Sequence, residues 1–305
     1  MLKTAASKST AQRKTLVQQV QCALPLLMQS IPEIKPAKEE TEMRKQRQQL
    51  VQAIRGLQVI KRAVTTGTGA DRLEFLQQEK YLDLLVMALK LDFDTSQEEA
   101  DKVQHIVLDI ISAHQLDNPQ TDHVIILHEN MLQALQQYFI RSVIRKQFKQ
   151  IIKVIQIIYD SCFSNYNPRI VTYDSHFIFI LQNVLNLQDT DYLNQEFEAQ
   201  QCIKYAVAAI LKLADTEELL LPLQYIYGQL LIKAVERNIL DDEVILMICT
   251  IIKKLYCQEN CIFKNELVHI THLVNLISDI DSQQVQDFVT GFSNLVKLNS
   301  GEEEL

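Results

Sequence analysis

The sequence predicts an all-α protein, an armadillo- or HEAT-like right-handed superhelix of stacked helical hairpins. Three observations carry that expectation. Glycine and proline number only six each in 305 residues, whereas strand-rich folds need many Gly and Pro turns and α/β folds need Gly-rich connections. Leu, Ile, Gln, Lys and Glu dominate instead, and apolar residues recur at three- and four-residue spacing, as on the buried face of an amphipathic helix. After Pro168, short polar turns come at 189–191, 215–217, 238–242, 258–260 and 279–282. That is one turn per helix or tight helical hairpin, as in a stacked repeat whose neighbours bury each other's ridges. A composition of 47% hydrophobic and 22% charged residues is that of a globular chain.

Taken in order, a first helix is expected over 15–30, with Leu16, Val20, Leu24 and Leu27 on one face. Pro25 lies inside it, so a kink or two short pieces are expected. Residues 1–14 read as a basic flexible leader; with no acidic residue before Glu33, the start also fits a mitochondrial transit peptide. Pro32 and Pro36 mark a linker. A long charged helix over 37–64 follows, burying Leu50, Ile54, Leu57, Ile60 and Val64. Thr66-Gly67-Thr68-Gly69 ends it and is no phosphate loop, because no strand precedes it and no Lys-Ser/Thr follows in place.

Helical pieces over 72–77 and 81–89 come next, then a helix capped by Thr95 or Ser96. Glu98 and Glu99 stand in its first turn, where the macrodipole favours them; Val103, Ile106, Val107, Ile110 and Ile111 form its buried side. Asp117-Asn118-Pro119 and Asn165-Tyr166-Asn167-Pro168 are turns. The result is one helical-repeat domain over 15–298 with an acidic tail over 299–305.

Residues 131–163 carry the strongest candidate site. Between Asn130 and Asp160 there is no acidic residue. Phe148, Ile151, Ile152, Ile155, Tyr159 and Cys162 make one broad apolar face. Lys146, Lys149 and Lys153 fall on the opposite face, with Arg145 on the flank. Arg141 precedes them beside a turn expected near 140–142, where Ser142 would cap the next helix. The strip fits a solvated helix surface, and it fits a docking strip for an acidic segment of another protein.

Other chemistries find less support. A net charge of −8 argues against nucleic acid held through overall charge. No run approaches the roughly 18 apolar residues of a membrane span. Six scattered cysteines read as reduced core residues of a cytoplasmic protein. Cys257-x3-Cys261 with His269-x2-His272 is the most metal-like pattern, but its Cys-to-His gap is shorter than a zinc finger's, so an ordinary helix end without metal is expected. Asp92 and Asp94 lack the further ligands of a calcium loop. His105, His114, His123, His128 and His176 are each isolated on helical patterns and read as structural. No catalytic motif appears, so a non-enzymatic protein without cofactor is expected. Tyr173, Phe177, Phe179, Tyr225 and Tyr227 read as core, or as the lining of a peptide-accepting groove.

The run over 84–111, LLVMALKLDFDTSQEEADKVQHIVLDII, resembles an early repeat of the Mo-twenty-five scaffold family (also called calcium-binding protein thirty-nine). There a Leu-rich helix ends in Asp-Phe-Glu and an amphipathic helix follows. The basic leader, the LVQQVQ helix and the long helix after the proline linker are similar in order. Tyr225-Ile226-Tyr227-Gly228-Gln229-Leu230-Leu231-Ile232 resembles the family's Leu-Leu-Gly-Glu-Leu-Leu-Leu helix, and EVILMICTI over 243–251 resembles the Leu- and Met-rich helix after it. The resemblance implies a curved, non-catalytic solenoid that binds and activates sterile-twenty-type kinases and a pseudokinase. It implies use of the concave face and of a C-terminal pocket for a short aromatic-acidic peptide. Where the family has Arg and then Lys before the Gly-containing helix, this chain has Leu221 and Tyr225, so a carboxylate loses its charge-assisted hydrogen bonds there. Met247 would line an apolar part of that pocket. The expected function is therefore a scaffold or adaptor that regulates a kinase or pseudokinase by binding it. Its candidate contacts are Arg141, Arg145, Lys146, Lys149, Lys153, Tyr225 and Met247. The alternative is a structural subunit of a cytoskeletal, ciliary or trafficking assembly.

Overall fold

The computed structural model describes residues 2–300 except 79, 94–96, 116–123, 129, 163–172, 188–195, 238–239, 257–263, 279 and 281–282. The turns expected at 117–119, 165–168, 189–191 and 258–260, the cap at Thr95 or Ser96, and His123, Cys257 and Cys261 lie outside the described residues. Every regular element among the described residues is helical. Two compact units divide the chain, Met1–Arg141 and Ser142–Leu305.

In the N-terminal unit, α1 spans Leu2–Ser30. It takes in residues 2–14 as well as the expected 15–30, since that stretch contains no proline or glycine and is rich in good helix formers. Pro25 removes one backbone donor, yet the helix continues through it. Val17, Val20, Leu24, Leu27 and Ile31 are buried. α2 spans Glu40–Thr66 and packs on α1. At Gly56 of α2 a Cβ would stand 2.8 Å from Leu27 Cδ2, so glycine there lets α1 seat its leucine against the α2 backbone. α2 buries Leu50, Ala53, Leu57, Ile60, Ala63 and Val64. Ile54 is only half-buried, one residue off the stripe that Ala53 completes.

α3 (Gly69–Leu76) begins at Thr68, whose Oγ1 accepts from Asp71 N–H at 3.3 Å while Asp71 Oδ2 accepts from Thr68 N–H at 2.7 Å. This reciprocal box follows directly on the Gly67 stop. α4 (Tyr81–Leu89) and α5 (Gln97–Gln115) pack on each other, and α5 also packs on α2. Val103, Ile106, Val107, Ile110 and Ile111 of α5 are buried as expected; each such side chain contributes roughly 1.5–3 kcal/mol relative to exposure. Two ion pairs tie α2 to α5, Arg47–Glu99 at 2.5 Å and Lys61–Asp109 at 2.6 Å. α6 (Met131–Ile144) starts as α4 does. A residue with positive φ precedes each, Lys80 at 62° and Asn130 at 65°. Each first residue donates to the residue three before it, Tyr81 to Gln78 and Met131 to His128, both at 3.1 Å. The matching sequences Gln78-Glu79-Lys80-Tyr81-Leu82 and His128-Glu129-Asn130-Met131-Leu132 mark a local repeat.

The C-terminal unit holds α7 (Phe148–Cys162), α8 (Ser175–Leu185), α9 (Glu196–Leu213), α10 (Leu220–Arg237), α11 (Asp242–Tyr256), α12 (Lys264–Ile277) and α13 (Gln283–Ser300), with a 3-10 turn, Glu217–Leu219, before α10. Its contacts follow one rule. α9 touches α7 and α11, and α11 touches α13; α10 touches α8 and α12. Neighbours in sequence also meet, α7 with α8, α8 with α9, α10 with α11, and α12 with α13. Odd helices thus make one rank and even helices the other, which is the two-layer arrangement of stacked helical hairpins. Cys162, Cys202 and Cys249 are buried and free. Burial pushes the Cys202 thiol far up and that of Cys249 up to about 12, so both are inert core residues. Gly228 of α10 makes room for Tyr256 of α11; a Cβ there would meet the phenol oxygen at 2.7 Å.

Candidate functional site

The basic strip is shaped by a turn that the sequence places five residues too early. α6 continues through Ile140–Ser142 to Ile144, and the turn falls at 145–147. Lys146 adopts φ 54°, a left-handed conformation that ends a helix and that lysine takes at some cost. Lys146 N–H donates to Val143 O at 3.0 Å and Gln147 N–H to Ser142 O at 2.8 Å. Ser142 is buried inside the last turn of α6 and is not the cap of the next helix. Lys146 accordingly sits in the turn and not on the face of α7.

Around that turn three side chains reach solvent. Ile144 is 76% exposed at the end of α6. Lys146 is exposed in the turn, and Lys149 is exposed on the first turn of α7. That first turn has no acidic residue, so Lys149 opposes the helix dipole, a conflict worth about 0.3–1 kcal/mol. Arg145 and Lys153 are half-buried. The other face of α7 buries Phe148, Ile151, Val154, Ile155, Ile157, Ile158 and Cys162, whereas Ile152 and Tyr159 are half-buried. The apolar side expected from spacing is present but rotated toward Val154 and Ile158.

Arg141 has a different role. It belongs to the N-terminal unit, and its Nη2 donates to the carbonyl of Leu89 at 2.6 Å, at the end of α4. A cation there satisfies an orphan carbonyl and complements the negative end of the helix. Tyr225 is 68% exposed on α10, with Leu221 one turn earlier at 46%. Met247 is half-buried on α11, the helix that packs on α10. Tyr227 and Phe177 are core, Phe179 is half-buried, and Tyr173 is exposed.

The histidines resolve into local roles. His114 is fully buried, its Nε2 2.9 Å from Tyr81 Oη. Burial, with Arg72 nearby, lowers its pKa to about 3. His128 Nε2 stands 3.3 Å from Asp83, and His272 Nε2 2.9 Å from Glu236. No group of three or more metal-ligating side chains comes together among the described residues. No helix among them is long and apolar enough to cross a membrane.

The apolar Ile144 was missed by sequence reasoning because it closes an amphipathic run and looks like one more core position. The signal available was its place one residue before the Arg-Lys pair, where a chain reversal would carry it outward.

No protein-family profile matches the chain, and no curated protein does. Among solved structures, a chain described as "Computational Design of Self-Assembling Cyclic Protein Homooligomers" aligns over 97% of this chain and 96% of its own length, at 12% identity and a TM-score of 0.25. A likeness of that size carries no argument, and function is read from the residues themselves.

Proposed function

We propose that this protein is a non-enzymatic scaffold that holds a partner protein, using the α6–α7 turn to grip an acidic segment with an apolar anchor. The observation that carries the reading is the combination of Ile144, 76% exposed, with Lys146 in a left-handed turn and Lys149 set against the dipole of its own helix. Each is a local cost that folding alone does not require, and such conflicts gather where a surface has a task. In a chain of net charge −8, an acid-free stretch that presents cations around an isoleucine suits a carboxylate-bearing, apolar segment. The resemblance to the Mo-twenty-five family makes a cytoplasmic protein kinase or pseudokinase of the sterile-twenty type the partner proposed.

The test is a pull-down of purified sterile-twenty-type kinase by the native chain and by a K146E/K149E variant with Ile144→Ser. Loss of recovery with circular dichroism unchanged is the expected result. Equal recovery by both overturns the role of the turn. Affinity purification that returns tubulin- or coat-associated proteins in place of kinases assigns the surface to a structural assembly.

A further inference from the structure

The N-terminal unit carries a second basic and apolar surface, independent of the first. Between Glu42 and Asp71 there is no acidic residue, and Arg44, Lys45, Arg47, Arg55, Lys61 and Arg62 all fall in that run. Arg47 and Lys61 are held by Glu99 and Asp109 of α5, and Arg44 pairs with Glu40 at 2.7 Å. Lys45, Arg55 and Arg62 are exposed and make no ion pair among the described residues. At Arg55 the line between α1 and α2 opens into a groove of about 770 Å³ whose walls include Cys22, Ala23 and Leu26 of α1 and Arg55 and Val59 of α2. Leu26 is 69% exposed and Val59 39%. A second depression of about 490 Å³ continues along α2, lined by Arg44, Arg47, Val51 and Arg55 and by no acidic side chain. The two share Gln52 and Arg55. Glu33 is the one acidic residue lining the larger groove.

We infer that the α1–α2 groove is a docking site for an amphipathic helix of a partner protein whose apolar ridge is flanked by Asp and Glu. Two packed helices with leucine and valine uncovered along their seam are the receptor half of helix-in-groove recognition. Leu26 lies off the face of α1 that buries Val20, Leu24, Leu27 and Ile31, so it contributes nothing to the unit's own core. Arg55 borders both depressions, and a carboxylate on the flank of the incoming helix reaches its guanidinium through a charge-assisted hydrogen bond. Arg44 and Arg47 along the smaller depression are already paired with Glu40 and Glu99, so the selection of an acidic helix over a basic one rests on Arg55.

The probe is a labelled synthetic peptide of about 15 residues, near the length at which an isolated helix begins to persist. It carries Leu at helical i, i+3, i+4 and i+7 spacing and Glu on the flank; a control carries Lys at the flank positions. Binding is read by fluorescence anisotropy. Occupancy is read by the alkylation rate of Cys22, which is exposed in the groove, followed by peptide mass spectrometry. The acidic peptide is expected to bind and slow Cys22 alkylation, while the basic control does neither. Arg55→Glu should weaken the acidic peptide about tenfold and invert the preference. Leu26→Gln should weaken it comparably with an unchanged melting curve, since that side chain is outside the core. Equal binding of the two peptides, or binding that leaves Cys22 alkylation unchanged, overturns the proposal. So does Cys22 protection by self-association, seen as a concentration-dependent dimer, or by anionic vesicles in place of the peptide.

Discussion

His114 shows how much one buried side chain governs. Its ring on α5 is fully buried, hydrogen-bonded to Tyr81 of α4 and close to Arg72 of α3. In the unfolded chain an imidazole takes its proton near pH 6.5; in the fold it does so only near 3. Between those values the unfolded state binds more protons, so this histidine lowers stability as pH falls from about 6.5 and is silent above it. From pH 7 to 5 the loss is about 2 kcal/mol. His114→Gln keeps a hydrogen-bonding partner for the Tyr81 hydroxyl and removes the titration. Urea unfolding at pH 7 and pH 5 should therefore show a smaller acid loss in the variant by about that amount. Equal losses would mean that the ring is protonated in the fold. The sequence identifies His114 as structural, because it ends a helix with an apolar face. The tyrosine that holds it, 33 residues earlier, leaves no local mark.

At the scale of the element, the end of α4 is the best-built feature. A helix leaves its last carbonyls unpaired, and here two side chains from later helices fill the gap. Gln104 of α5, 1% exposed, donates through Nε2 to Leu89 O at 3.0 Å and also to Leu91 O, and Arg141 of α6 donates to Leu89 O. Gln104→Leu keeps the bulk and strands the Leu91 carbonyl, while Leu89 O keeps its bond from Arg141. It should cost about 1–3 kcal/mol in chemical denaturation; a loss below measurement would show that water reaches that carbonyl. Helix existence is legible at this scale: 81–89 matches α4 residue for residue, and the buried side of α5 follows from its spacing. Turn position is less so. The reversal at 145–147 rests on a left-handed lysine, a conformation that Gly or Asn advertises and Lys does not. Arg141 reads in the sequence as a member of the basic strip, because its acceptor lies 52 residues away. The cap at Thr68 is written in its Thr-x-x-Asp spacing, but the two flanking glycines read first as a helix end.

At the scale of the molecule, the two ranks of the C-terminal unit make α9 a junction, touching α7, α8 and α11. In such an array each element depends on its nearest neighbours. Ile210→Ala, at a fully buried position of α9, should cost about 2–5 kcal/mol and release amide protection in α7 and α11 as well as α9. Val285→Ala in α13 should loosen only α13 and the two helices it meets. Hydrogen exchange read by mass spectrometry separates these patterns, and confinement of both losses to the mutated helix would argue against stacked ranks. The all-helical architecture is legible here from scarce Gly and Pro and from apolar residues at three- and four-residue spacing. The division at Arg141 is not, because it falls inside a continuous helix.

Lys146 and Lys149 both sit where the backbone would prefer something else, a glycine in the reversal and an acid at the helix start. Repairing either position would raise the melting temperature while erasing the grip proposed for this surface. Selection for thermal robustness alone would therefore drift toward a sturdier but blind protein.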